Sequence, residues 1–128
     1  MSSAQRNPSD AVDHLINGFD RALKTLTGGR TVQRENPAEQ IQDADLSDAE
    51  KRHVGGLMRV NHTGEICAQA LYEGQAMTAR DPVAQRSLLD AAAEEQDHLT
   101  WCAQRLEELD ARPSVLDPLF YGASFVLG

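Results

Sequence analysis

Two long stretches of helix-forming residues meet at a single Asp81-Pro82 step, and this arrangement leaves few folds open to the chain. The first stretch begins at residues 47–50, Ser-Asp-Ala-Glu, a capping box in which the serine caps a helix and the glutamate bonds back to it. It can continue to about Arg80, which is roughly 34 residues or ~50 Å of α-helix. The second begins at Pro82, with Asp81 as its cap, and runs to about Asp110. Helices joined by so short a turn form an antiparallel hairpin, so the sequence predicts an all-α helical bundle.

The remaining segments differ in character. Residues 1–8 are polar, and we expect them to be disordered. The pattern of residues 9–27 predicts an amphipathic helix. Residues 28–46 contain few large apolar side chains, so we expect a linker or a loosely packed loop there. Residues 47–128 predict an incomplete helical domain, because the chain stops inside an apolar segment with no closing cap. The apolar stripe of the N-terminal helix consists of Val12, Ile16, Phe19, Ala22 and Leu23.

Charge and composition narrow the classes of function. The 12 basic residues against 20 acidic ones give a net charge of −8, which argues against a nucleic-acid partner because phosphate binding needs clustered Lys and Arg. Leu, Ile, Val and Phe make up only 27 of 128 residues, so we expect a thin core. Cys67 and Cys102 fit a reducing compartment, with each thiol packing as a small apolar group. The polar N-terminus indicates no secretory signal, and no run is apolar enough to span a bilayer.

Helical spacing places ionisable groups on faces that should meet a neighbouring helix. Glu65 lies on such a face of the first long helix, and Glu95 and His98 share a face of the second. An unpaired buried carboxylate is costly, so such groups pair, bind metal or become protonated. The two predicted faces consist of Val54, Met58, Asn61, Glu65, Ala68 and Tyr72, and of Leu88, Ala91, Glu95, His98, Cys102, Leu106 and Leu109.

The three groups lie at similar distances from the hairpin turn, which predicts that their side chains come close together. Glu65 lies 16 residues before Asp81, Glu95 lies 14 after it and His98 lies 17 after it. Those offsets correspond to roughly 24, 21 and 25 Å of helix, which is the same depth on facing surfaces. Two carboxylates and an imidazole suit iron or manganese. Ferritin-like di-iron bundles use a Glu from each of two helices and a Glu-x-x-His from each of the other two, so these residues form half of that set.

Two features of the sequence bear on this interpretation. Glu50 and His53 also have Glu-x-x-His spacing, but Glu50 belongs to the capping box and lies about 22 Å along the helix from Glu65, so we expect no metal role for this pair. Residues 94–97 form an acidic run, which is also typical of a solvated helix face. The depth match with Glu65 favours the metal interpretation over the solvated face.

Two runs resemble the metal-binding helices of the demethoxyubiquinone hydroxylases. Residues 58–72, which contain Asn61-His62-Thr63-Gly64-Glu65, resemble the first such helix, and residues 94–102, which contain Glu95 and His98, resemble the second. The resemblance is nearly continuous from about Ser47 to Gly128. Members of this family are membrane-attached di-iron monooxygenases that use O₂ and reducing equivalents. They hydroxylate the ring of a demethoxyubiquinone-type intermediate in ubiquinone biosynthesis.

The resemblance implies a ferritin-like fold, two iron ions (Fe²⁺/Fe³⁺) as cofactor and a role for each candidate ligand. Glu65 would be a terminal ligand to one iron, Glu95 would bridge both irons, and His98 would be a terminal imidazole. Family members supply a second lone Glu and a second Glu-x-x-His from two further helices, to which no residues here correspond. We therefore expect residues 47–128 to be an incomplete ferritin-like di-iron domain with about half of the site.

The resemblance also implies partners and a location. The apolar segment after Pro113 matches the family region associated with membrane attachment and quinone access, which fits binding at the membrane surface. The implied location is the cytoplasmic face of a bacterial inner membrane, as a peripheral protein. The implied substrates are a ubiquinone precursor and O₂, and other ubiquinone-biosynthesis proteins are the implied partners.

Two other functions fit the same residues, namely a non-enzymatic helical hairpin that binds a partner or membrane, and a ferritin-type iron-binding bundle. The apolar segment after Pro113 favours a quinone- or membrane-facing protein over iron storage. A homodimer would place two lone Glu and two Glu-x-x-His around one axis and so complete the ligand set. We then expect two irons per dimer, and weak or no iron binding by a monomer.

Overall fold

A computed structural model of the chain describes residues 8–28 and 32–128, and these form four helices joined by irregular segments. The helices are α1 (Pro8–Thr27), α2 (Asp48–Thr78), α3 (Pro82–Glu108) and α4 (Asp117–Leu127). The described residues contain no β-strand, so the all-α prediction is confirmed. The disorder expected of residues 1–8 lies outside the described residues except at Pro8, where α1 begins.

Local sequence signals determine the ends of the α2–α3 hairpin. The Ser47 hydroxyl accepts the Glu50 backbone N–H at 3.3 Å, and the Glu50 carboxylate accepts the Ser47 backbone N–H at 2.8 Å, which completes the predicted capping box. The Asp81 carboxylate accepts the N–H groups of Val83 and Ala84 at 3.3 and 3.2 Å, with proline in the first turn of α3. Both helices therefore start within one residue of the predicted positions, and they pack side by side.

Helix α1 lies against the hairpin through its C-terminal half. Ala22 and Leu26 pack against the core, and Thr25 is buried. The helix ends at Gly28, which has a φ of 71°, a left-handed conformation that glycine adopts without steric cost. Most of the predicted apolar stripe is exposed, because the side of α1 that reaches the core carries Ala22, Thr25 and Leu26. The exposed stripe residues are Val12, Ile16, Phe19 and Leu23.

Helix α4 packs closely on α2 through both polar and apolar contacts. The Thr63 hydroxyl donates to Asp117 at 2.7 Å, and the Tyr121 hydroxyl donates to the buried Glu73 carboxylate. Glycine at position 74 permits the close approach, because a Cβ there would overlap the carbonyl oxygen of Phe125. The core lies between α2, α3 and α4, where the buried cluster consists of Ile66, Ala70, Leu99 and Tyr121.

The buried side of α2 differs from the predicted one by about one residue along the helix. Of the predicted stripe, Met58, Glu65 and Tyr72 are only half-buried and Asn61 is exposed. The physical reason is that α4 covers the neighbouring positions and pairs with their polar groups, such as His62 with Asp117 and Glu73 with Tyr121. The buried residues of α2 are Gly55, His62, Ile66, Gln69, Ala70, Glu73, Gly74 and Ala76.

The predicted stripe of α3 needs the same correction. Leu106 and Leu109 are buried as predicted, but Glu95, His98 and Cys102 lie half-buried at the edge of the contact with α2. Positions one residue further along are buried instead, namely Ala92, Gln96 and Leu99. The candidate ligands thus border an open face of the hairpin and do not lie in its core. Among the described residues, no helix is both long and apolar enough to span a bilayer.

Candidate metal centre

Three side chains from the two hairpin helices converge at one level of that open face. Glu65 on α2 and Glu95 and His98 on α3 each offer one ligand atom, and these atoms lie within 4.8 Å of one another. His98 Nδ1 is 3.2 Å from a carboxylate oxygen of Glu95 and 4.0 Å from one of Glu65. The antiparallel register produces this proximity, as the depth argument predicts.

The electrostatics of the cluster are those of two carboxyl groups sharing one proton. Burial, followed by the hydrogen bond to Glu95 and its charge, raises the pKa of Glu65 to about 8. The hydrogen bond from Glu65, together with contact from His98, holds the pKa of Glu95 below its usual range. Two carboxylates this close repel when both are ionised, and this repulsion favours the protonated form of Glu65.

The donor chemistry fits a divalent metal ion. Hard carboxylate oxygens and an imidazole nitrogen are the ligands that iron and manganese bind, and a cation would relieve the repulsion between the two carboxylates. The side chains are 28%, 22% and 41% exposed for Glu65, Glu95 and His98, so an ion can reach them. Within residues 8–28 and 32–128 no second group of three such side chains occurs. Three donors leave coordination positions open on any metal ion that they bind.

The second Glu-x-x-His pair, Glu50 and His53, does not join this cluster. Glu50 is engaged in the capping box, and its hydrogen bonds with Ser47 hold the pKa of its carboxyl below the usual value. His53 is exposed one turn further along the same helix.

Residues outside the predicted set surround His98. The Trp101 ring centroid lies 5.5 Å from that of His98, and the Arg34 guanidinium carbon lies 5.6 Å from the Trp101 ring centroid. A cavity of about 1300 Å³ between residues 32–43 and α3 reaches His98, Trp101 and Cys102. Arg34 is not predicted from the sequence, because its contact joins segments far apart in the chain and no local pattern signals it.

His62 is the other histidine with a defined environment. It is only 6% exposed. Its Nδ1 lies 3.2 Å from the Asp117 carboxylate, and burial lowers the pKa of the imidazole despite that carboxylate. His62 therefore contributes to the α2–α4 contact and takes no part in the candidate metal centre.

The raised pKa of Glu65 predicts a pH-dependent stability for the chain kept free of metal by a chelator. Between pH 4.5 and 8 the unfolded state releases a proton that folded Glu65 retains, so the free energy of unfolding falls as the pH rises through this window. We expect a fall on the order of 1 kcal/mol, because partial solvent exposure reduces the effect. Urea unfolding of the unmodified chain and of Glu65→Gln at several pH values measures it. Equal pH slopes for the two proteins would contradict this assignment, since the contribution of His62 is common to both.

Comparison with known proteins places the chain in a family. The family model described as ubiquinone biosynthesis protein COQ7 matches residues 52–128. A protein named 3-demethoxyubiquinol 3-hydroxylase from Acinetobacter baylyi is 58% identical over 118 residues, which cover 91% of this chain and 56% of that relative. Proteins of the same name from Janthinobacterium sp. (strain Marseille) and Ralstonia pickettii (strain 12J) are 53% and 52% identical, each over 91% of this chain.

The chain spans 56% to 59% of the length of these curated relatives. No solved structure matches it. The matched region contains most of α2 and all of α3 and α4, with all three candidate ligands, and it confirms the resemblance that the Asn-His-Thr-Gly-Glu run indicates. The chain belongs to the COQ7 family of ubiquinone biosynthesis proteins.

Proposed function

We propose that the chain carries half of the di-iron site of a monooxygenase that hydroxylates the ring of a demethoxyubiquinol-type intermediate. The observation that carries the proposal is the convergence of Glu65, Glu95 and His98 within 4.8 Å on the open face of the hairpin. The names of the relatives, 3-demethoxyubiquinol 3-hydroxylase, support the substrate class and the reaction.

In this proposal Glu65, Glu95 and His98 would hold the iron pair, with Glu95 as the shared ligand and Glu65 and His98 as the terminal ligands that the family resemblance implies. When bound, the iron pair supplies the activation of O₂ on which ring hydroxylation depends. A carboxyl group binds a cation in its ionised form, so Glu65, whose pKa is raised, would have to lose its proton for the cluster to hold one. His98 lies within reach of both carboxylates, and the hairpin register holds all three groups before any ion arrives.

We also propose that the protein works at a membrane surface, at the cytoplasmic face of a bacterial inner membrane, where a quinol substrate resides. The support is a group of large apolar side chains in and just before α4 that face solvent. Apolar side chains on one side of a short helix suit interfacial binding. The exposed residues are Val115, Leu116, Leu119, Phe120, Val126 and Leu127.

The substrate proposal is tested by expressing the gene that encodes this chain in a bacterium lacking its own demethoxyubiquinol hydroxylase. We expect ubiquinone to reappear in lipid extracts, measured by chromatography. Glu65→Ala and His98→Ala are each expected to lower the recovered ubiquinone at least about 100-fold, because each removes a metal ligand. His53→Ala is the matched control and should retain full recovery. Full recovery with either ligand variant would overturn the assignment of the site.

Iron titration with size analysis tests how the ligand set is completed. Since the described residues supply three donors, we propose that two copies of the chain, or one copy with another protein segment, enclose the iron pair. Two irons per dimer support a homodimer. Tight binding of two irons by a strict monomer of this chain would rule out the homodimer. It would also contradict the proposal that the chain carries only half of the site.

A further inference from the structure

Residues 32–43, here called the strap, run across α3 as an irregular segment that is fastened at both ends. At one end the Asp97 carboxylate accepts the Gln33 backbone N–H at 2.8 Å and the Arg34 Nε–H at 3.0 Å. Asp97 is only 1% exposed, so the carboxylate of this ion pair is shielded from water. At the other end the Arg105 guanidinium donates to both oxygens of Asp43, at 2.6 and 2.9 Å. The sequence predicts a linker or loose loop here, whereas the described part of this segment is tied to α3.

The end of the strap that Asp97 holds lies next to the candidate metal centre. Arg34 also donates to the Glu94 carbonyl oxygen at 3.4 Å, and its guanidinium lies over the face of Trp101. Trp101 in turn packs against the His98 ring, with an interplanar angle of 45°. A guanidinium over an indole is a favourable cation–π contact, and it fixes the position of the ring.

Trp101 has no other polar anchor among the described residues. Its indole Nε1 is buried and finds no hydrogen-bond partner within the described part of the chain. The ring therefore depends for its position on packing, with Arg34 on one face and His98 at its edge. His98 is the most exposed of the three candidate ligands, so its imidazole has the most freedom to turn away from the carboxylates.

We propose that Arg34, held in place by Asp97, is a positioning residue that acts through Trp101 to orient the His98 imidazole toward Glu95 and Glu65. The inference rests on the proposed function, since it assumes that these three residues bind metal. It adds a role for the strap, which lies outside the segment matched by the family model. Residues that orient a metal-binding histidine commonly change metal affinity 10–100-fold when they are replaced.

The first test reads the geometry without metal. Trp101 is the only tryptophan, and its ring current shifts the NMR signals of the His98 ring, which His98→Gln identifies among the four histidines. In the chelated protein, Arg34→Gln and Asp97→Asn are expected to move these signals toward their positions in Trp101→Leu. Asp43→Asn, which releases the other end of the strap, is the matched control and should leave them in place. Unchanged His98 signals in Arg34→Gln and Asp97→Asn would overturn the inference.

The second test measures affinity for Co²⁺ alone, through quenching of Trp101 fluorescence. We expect the dissociation constant to rise about tenfold in Arg34→Gln and Asp97→Asn and to stay unchanged in Asp43→Asn. Equal affinity in all four proteins would overturn the positioning role while leaving the metal site intact. Failure of the unmodified chain to bind Co²⁺ at concentrations where it forms a dimer would instead count against the proposed function, and the NMR measurement would still decide whether Arg34 orients His98.

Discussion

Replacing Glu95 with alanine is expected to abolish the binding of ferrous iron to this chain, whereas replacing Glu50 with alanine is expected to leave it unchanged. Both residues begin a Glu-x-x-His sequence, so the spacing alone does not distinguish them. Glu95 lies with Glu65 and His98 in a cluster of three donors, and its loss leaves only two of them. Glu50 accepts a hydrogen bond from the Ser47 backbone N–H, so its removal weakens only the helix cap.

Iron content after chelation and reloading, together with the urea midpoint of each variant, measures both effects. Glu95→Gln, which keeps the shape of the side chain but loses the charge, is the control for misfolding. It should remain as stable as the unmodified chain and still fail to hold iron. Equal loss of iron in the Glu95 and Glu50 variants would mean that the wrong Glu-x-x-His pair has been assigned.

Replacing Gly74 with alanine is expected to lower the free energy of unfolding by about 2 kcal/mol. The new methyl group would overlap the carbonyl oxygen of Phe125 and lie 3.2 Å from the carbonyl carbon of Gly128. Because these are backbone atoms, α4 must shift as a unit, and overpacking of this kind costs typically 1–3 kcal/mol. The shift would also strain the hydrogen bond from Tyr121 to Glu73, which lies beside Gly74 on α2.

Gly56→Ala is the matched control for the Gly74 variant. Gly56 lies in the same helix, but a Cβ there meets nothing within 4 Å. Alanine should therefore stabilise the helix by about 0.5–1 kcal/mol, since it restricts the unfolded chain. Opposite signs for the two variants in urea unfolding are the expected result. Stabilisation by both would show that α4 does not pack closely on α2 in solution.

The sequence predicts well those features that depend on local chemistry. The capping box at Ser47 and the Asp81-Pro82 step fix the ends of the hairpin helices, and both signals involve neighbours within three residues. The convergence of Glu65 with Glu95 and His98 follows from those ends, because an antiparallel pair of regular helices has a calculable register.

Features that depend on distant partners are not visible in the sequence. The buried side of α2 includes His62 and Glu73, which an apolar pattern excludes, because Asp117 and Tyr121 on α4 supply their partners. The strap is polar and irregular, so it is predicted as a loose linker. The ion pair between the half-exposed Arg34 side chain and the buried Asp97 carboxylate holds it on α3, and that pairing leaves no periodic signal.

The number of residues that separates two contacting groups along the chain affects when their contact forms during folding. Glu95 and His98 meet Glu65 through one hairpin with a tight turn, so a single short loop closure brings the three groups together. The strap and α4 close much longer loops, since Gln33 is 64 residues from Asp97 and Thr63 is 54 residues from Asp117. Loop closure costs more entropy as the loop lengthens, and non-local contacts form later in folding. We therefore expect the hairpin to bring the three candidate ligands together first during folding, and the strap and α4 to dock on it afterwards.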